Sequence, residues 1–400
     1  MATSALPAAP TPPAAPARPD DLTRSDTSTG PDTSTGLVNP TGPANRARRL
    51  DLGQLGPNWY ATVMGTAIVG NAAAALPVSV PGLTAAARLA WALSAALLLV
   101  LVPARVAHLL RHRAAARAHL LDDPAKAVFY GCPPMALLAV GYGTLKVGAP
   151  LIGTGPAVAV DLALWTAGTC YAVAVAVTVP TLMITRHRLS ALRADPTWLL
   201  PVVAPMVAAS LGPALVPHLA AGTARTAMLY GCYALFGASM MAVLAVLPVV
   251  FAGLVHSKVA APVLTPVLFL VLGPLGQSAT AVNQLADAAR VAAPGLGGAA
   301  LHLAVLFGVA VLGFALLWLL VATAANLRAW RAGMPFGMTW WAFTFPVGTV
   351  VTGSAALARH TGFGGFTAVA VGLFLLLVAA WGVTGARTVA ALAGGRLLAR

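Results

Sequence analysis

From about residue 57 onward the sequence is a succession of apolar runs, each near the length of a bilayer-spanning helix, with basic residues punctuating the gaps. About 20 apolar residues cover the roughly 30 Å of a hydrocarbon core as a helix. The runs fall at 57–77, 83–103, 128–147, 157–180, 197–216, 225–255, 262–285, 297–327, 339–358 and 364–390. Backbone groups in lipid must be satisfied within the segment, and no ten-residue alternation marks a membrane barrel. The expected fold class is therefore an all-α membrane protein with ten transmembrane helices. Only 8% of the 400 residues are charged, against roughly 25% in a soluble domain, which excludes a soluble globular protein.

Residues 1–50 differ: they are rich in Ala, Pro, Thr, Ser and Asp and repeat the pentapeptide DTSTG at Asp26 and Asp32. Such a composition buries too little surface to offset the entropy of ordering. The expected organisation is a disordered cytoplasmic N-terminal arm over 1–50 and a ten-helix transmembrane transporter or channel domain over 51–400. No apolar h-region follows a basic n-region before the first run, so no cleavable signal peptide is expected.

The formal net charge is +14, from 24 Lys plus Arg against 10 acids, every one of them Asp. A nucleic-acid partner would need those charges gathered on one soluble face. Here they form short clusters between apolar runs and read as topology determinants. Ten spans place nineteen of the 24 on one side, and only Arg88, Lys146, Arg225, Arg290 and Arg359 on the other. Both termini of a multi-pass plasma-membrane protein are then cytoplasmic. Cys132, Cys170 and Cys232 lie inside apolar runs without CxxC or neighbouring His spacing, so they are expected to be buried packing thiols, with no metal and no cofactor.

Proline kinks a helix because it cannot donate a backbone hydrogen bond. Pro133 and Pro134 fall in the third run, Pro201, Pro205 and Pro213 in the fifth, Pro266 and Pro274 in the seventh and Pro346 in the ninth. Among even runs only Pro248 is clearly interior. This alternation points to five quasi-repeated helical hairpins, each pairing a kinked inner helix with a straight outer one around a central pore. At helical spacing the odd runs carry small or hydroxyl-bearing stripes: Thr62, Thr66, Gly70; then Pro134, Leu137, Gly141, Thr144; then Gly273, Gln277, Thr280; and Phe345, Gly348, Thr349, Thr352. These stripes suit tight helix packing or a narrow, weakly polar path. The residues expected to line the path are Thr62, Thr66, Gly70, Pro134, Gly141, Thr144, Pro205, Gly273, Gln277, Pro346 and Thr349.

Three stretches, PNWYATVMGTAIVG from Pro57, GPLGQS from Gly273 and WWAFTFPVG from Trp340, resemble the tellurite-resistance and dicarboxylate transporter family. That family includes slow anion channels, malate permeases and sulfite efflux proteins. One departure is Ala67, where the family's first motif has a second Gly. The resemblance implies ten helices in five hairpins around a pore lined by odd helices, a homotrimer with one pore per subunit, and a phenylalanine gate at the position of Phe345. Phe343, two residues away, is about 200° around a regular helix and cannot share that direction.

Lys146 and Arg359 stand near the outer ends of odd helices, where positive charge concentrates anions at a mouth; snorkelling to headgroups is the alternative. No acid or base stands at mid-depth, so passage depends on field and size rather than tight coordination. Each histidine, His360 included, reads as satisfied or solvated rather than as a proton relay. An enzyme needs a nucleophile with a base, or clustered metal ligands, at one depth, and neither pattern is present. The expected activity is transport of small anions across the lipid bilayer. The alternative is a proton-coupled secondary carrier of C4-dicarboxylates or sulfite.

Overall fold

The computed structural model describes residues 55–259, 261–395 and 397; the arm expected over 1–50 lies outside them. No strand occurs among the described residues. The long helical segments are α1 (Tyr60–Ala75), α2 (Leu83–Arg111), α3 (Pro124–Ile152), α4 (Thr154–Thr185), α5 (Pro196–His218), α6 (Thr223–Ser257), α7 (Pro262–Ala292), α8 (Pro294–Arg331), α9 (Met338–Thr361) and α10 (Gly364–Ala393), with a short helix Arg113–Leu121 between α2 and α3. Nine of them, α2 to α10, are long and apolar enough to cross a bilayer. The 16-residue α1 is shorter, although the tight turn Pro57–Trp59 leads directly into it.

Burial divides the helices into two classes. Between 61 and 94% of the apolar window is buried in α3, α5, α7 and α9, against 17 to 28% in the even helices. Thirteen of the 16 residues of α1 are buried as well. Each odd helix packs against the even helix that follows it, and the odd helices contact one another in the order α1, α3, α5, α7, α9, with α9 returning to α1. The result is a closed inner ring of five hairpins' first arms, sheathed by the second arms. Hairpin corners are short: Gly153, at φ +89°, is the single residue between α3 and α4. A side chain is disfavoured in that region of backbone space.

The proline pattern differs from the expected alternation. The outer helices extend beyond their apolar runs, so Pro103 lies inside α2 and Pro180 inside α4, beside Pro248 in α6. What sets the inner helices apart is a 3-10 stretch at the N-terminal end of each: Pro57–Trp59, Val128–Gly131, Pro196–Trp198, Pro262–Val271 and Met338–Phe343. Many of their prolines sit in these stretches or in the first α-helical turn after them, where a missing N–H removes no helical bond.

The cysteines also divide. Cys132 and Cys232 are buried as expected, whereas Cys170 is exposed on α4, facing outward with the apolar side chains of that helix.

Candidate functional site

Two cavities lie within the inner ring. The first, about 370 Å³, opens between the C-terminal halves of the inner helices. Its wall takes Ile68 and Asn71 from α1, Ala139, Tyr142 and Lys146 from α3, and Leu211 from α5. From α7 come Gln277, Thr280, Gln284 and Asp287, and from α9 Phe345, Thr352, Ala356 and Arg359. The second cavity, about 230 Å³, lies at the N-terminal ends and is lined by Met64, Cys132, Leu200, Val267, Leu270, Trp341, Phe345 and Pro346 among others. Phe345 borders both, and no other described residue does.

The local chain explains where that ring sits. The 3-10 stretch of α9 ends at Phe343, Thr344 turns with its hydroxyl donating to the Trp341 carbonyl (2.7 Å), and the α-helix starts at Phe345 with Pro346 in its first turn. Phe345 is 3% exposed. Phe343 goes elsewhere: its ring stands edge-to-face on Phe269 at 4.9 Å between centroids and on Trp340 at 6.0 Å.

The wall of the first cavity mixes apolar and polar groups. Ile68, Ala139 and Leu211 contribute apolar surface. Among the hydroxyl and amide groups, Thr280 and Thr352 meet at 2.8 Å, and Gln284 Nε2 donates to the Tyr142 hydroxyl at 3.0 Å. Ser210 donates to Gln277 Oε1 at 2.7 Å. Lys146, Arg359 and Asp287 supply the charge. Arg359 is fourteen residues beyond Phe345, about 21 Å along an α-helix, and its Nη1 donates to the Ala75 carbonyl at 2.9 Å. The Lys146 ammonium lies 5.9 Å from the centre of the Tyr142 ring.

Of the residues expected along the path, Gln277 borders the first cavity and Pro346 the second, and a side chain on Gly273 would meet open space. The others meet neighbouring helices. Thr66 accepts from Trp381 Nε1 on α10 at 3.1 Å, and Thr144 accepts from Trp91 Nε1 on α2 at 3.0 Å. Gly70 lies against the α2 backbone and Gly141 against Asp161 of α4, while Thr62 bonds to Trp59. The Pro134 carbonyl faces Gly168 of α4, and Pro205 borders a surface groove beside α4 and α6. Thr349 donates to the Pro346 carbonyl at 2.6 Å and packs on Gly276 of α7. Lys146 and Arg359, expected at the mouth, both line the first cavity.

Asn71, Tyr142, Gln284 and Asp287 were not singled out as wall residues from the sequence. Two of them carried a readable signal, since Gln277, Thr280, Gln284 and Asp287 continue one helical stripe at steps of three and four. Gln284 lies within the seventh run, and Asp287 falls beyond its end at 285, whereas α7 continues to Ala292.

A family described as voltage-dependent anion channel (SLAC1) matches residues 54–389. The chain belongs to this family. Family membership accords with the three motifs, in α1, α7 and α9, and with the all-helical membrane fold. The chain is 26% identical over 355 residues to the sulfite efflux pump SSU1 of Arthroderma otae, covering 86% of this chain and 93% of that protein. It is 27% identical over 311 residues to the SSU1 of Trichophyton rubrum, covering 76% and 82%. A transporter of Methanocaldococcus jannaschii is 24% identical over 330 residues, covering 82% and 90%. These are channels and transporters rather than enzymes, and the SLAC1 family and its sulfite efflux relatives support anion transport across a membrane.

Proposed function

We propose that small anions cross through the ring of α1, α3, α5, α7 and α9, and that the Phe345 ring closes the path between the two cavities. The observation that carries this reading is that Phe345 alone among the described residues borders both. An apolar ring in a neutral constriction excludes water, and an ion entering it loses hydration without compensation. The full arrangement comprises ten spans with α1 as the first, both termini cytoplasmic in the plasma membrane, and a homotrimer with a path in each subunit. The basic residues support the orientation and the family resemblance supports the trimer. Purified protein in liposomes should pass anions from a panel of chloride, nitrate, sulfite and malate. Passage of cations alone would overturn the proposal.

Lys146 and Arg359 act in this reading as an electrostatic funnel to the constriction. Their shared position on one cavity wall favours this over independent snorkelling. Replacing both with Gln is expected to lower anion flux about threefold to tenfold in 10 mM salt. The loss should be much smaller at 150 mM, where screening limits the reach of exposed charge to about 8 Å. Equal losses at both ionic strengths would rule out steering.

The relatives named sulfite efflux pumps favour a second reading, a secondary carrier of sulfite or a similar anion, for which coupling to protons is one form. Reversal potentials measured across a pH gradient separate the two: a channel-like path leaves them fixed, and coupling moves them with the gradient.

A further inference from the structure

We infer that His360 and Asp287 form a proton-binding site in the wall of the first cavity, and that its occupancy sets how strongly the mouth attracts anions; this rests on the proposed anion path. His360 Nδ1 lies 2.6 Å from Asn283 Oδ1, and His360 Nε2 lies 2.9 Å from Asp287 Oδ1. The amide of Asn283 cannot be turned around, because its Nδ2 donates to the Ala279 carbonyl at 2.8 Å and a flip would set two acceptors against each other. Nδ1 must therefore carry a hydrogen.

A neutral imidazole with hydrogen on Nδ1 has a lone pair on Nε2. That lone pair would face a carboxylate oxygen at hydrogen-bonding distance with nothing between them. The observed contact accordingly requires one further proton, held between Nε2 and the Asp287 carboxyl. Binding takes this proton from water and release returns it there; no other bond changes.

The charge at the mouth follows. Asp287 is the one carboxylate lining the cavity, alongside Lys146 and Arg359. With the proton present, the His360 and Asp287 pair is neutral overall and the cations leave the mouth at +2. Without it the pair carries −1 and the mouth falls to +1. The groups facing the pair are Asn283 and Gln284 from α7, Arg359 from α9, and Lys146 and Tyr142 across the cavity from α3, with Asp161 of α4 behind Lys146 and the exposed Arg290 one turn beyond Asp287 on α7. From α8, His302 is exposed, and at this end α1 and α10 carry no titratable side chain.

The test uses full-length protein in liposomes at equal pH on both sides, with chloride as the probe and low salt. Wild-type flux is expected to fall about threefold to tenfold as pH is raised from about 5 to 8. His360→Gln should give a flat profile at the low, high-pH level. His360→Gln combined with Asp287→Asn should give a flat profile at the high, low-pH level. A merely structural pair would lower flux in both variants and could not separate them in opposite directions. Wild-type flux that ignores pH, or either variant retaining the wild-type profile, overturns the site while leaving the anion path standing. Absence of flux in every protein overturns the path instead. Infrared difference spectra of the reconstituted wild type against the double variant then still read the proton: uptake over the same interval supports the site, and its absence overturns it.

Discussion

Phe345→Ala is expected to raise anion flux by about tenfold or more, which corresponds to a barrier lower by about 1.4 kcal/mol. Phe345 borders both cavities, of about 370 and 230 Å³, and in the proposed reading removing its ring joins them through space that water can enter. A hydrated path removes most of the dehydration cost, which for a buried ion amounts to several kcal/mol. Truncating a buried phenylalanine costs soluble cores about 3–5 kcal/mol, so yield and monodispersity need to accompany the flux measurement. Phe343→Ala supplies the comparison. Its ring packs with Phe269 and Trp340, so its loss should lower stability with little change in flux per folded protein. Unchanged flux in Phe345→Ala at normal yield would assign the closure to another residue.

Gly276→Val is expected to lower the yield of folded protein severely. A Cβ at this position meets the Thr349 hydroxyl, the Thr349 carbonyl carbon and the Val350 nitrogen, so two of its three neighbours are backbone that cannot rotate aside. The contact lies where α7 and α9 join in the inner ring. Overpacking typically costs about 1–3 kcal/mol, and a backbone-to-backbone contact belongs at the upper end. Gly313→Val, on α8 where a Cβ meets open space, makes the same chemical change without the collision and should express normally. Comparable yields of the two variants in detergent would show that the crossing of α7 and α9 tolerates separation.

The inner and outer classes of helix were legible in the sequence, but through a less general signal than the one that proves physical. Proline alternation looks nearly complete from the sequence only because hydropathy falls at Pro103 and Pro180, which makes them the last residues of their runs although both helices continue past them. Hydropathy marks the part of a helix that meets lipid, and these helices continue past it. The faces of α7 and α9 were readable because Gln277, Thr280 and Thr352 lie on the cavity wall together with Phe345. For α1 and α3 the small and hydroxyl residues pointed to the neighbouring faces instead. Thr66 and Thr144 receive indole N–H groups from Trp381 and Trp91 of outer helices, while Gly70 and Gly141 admit α2 and α4 closely. A helix buried on all sides has no polar and apolar contrast from which to read its orientation. One partner that decides it, Trp381 for Thr66, is more than 300 residues distant in the chain.

The 3-10 stretch that opens α7 has a dimensional consequence. Its ten residues, Pro262–Val271, advance about 2.0 Å each instead of the 1.5 Å of an α-helix, adding about 5 Å of reach. Rewinding that stretch as α-helix would shorten the segment by nearly one pitch and turn the residues at its far end against those at its near end. Length and angular phase are thus tied together in this strut, so an axial displacement produced by rewinding is also a rotation of Val267 and Leu270 beside the second cavity.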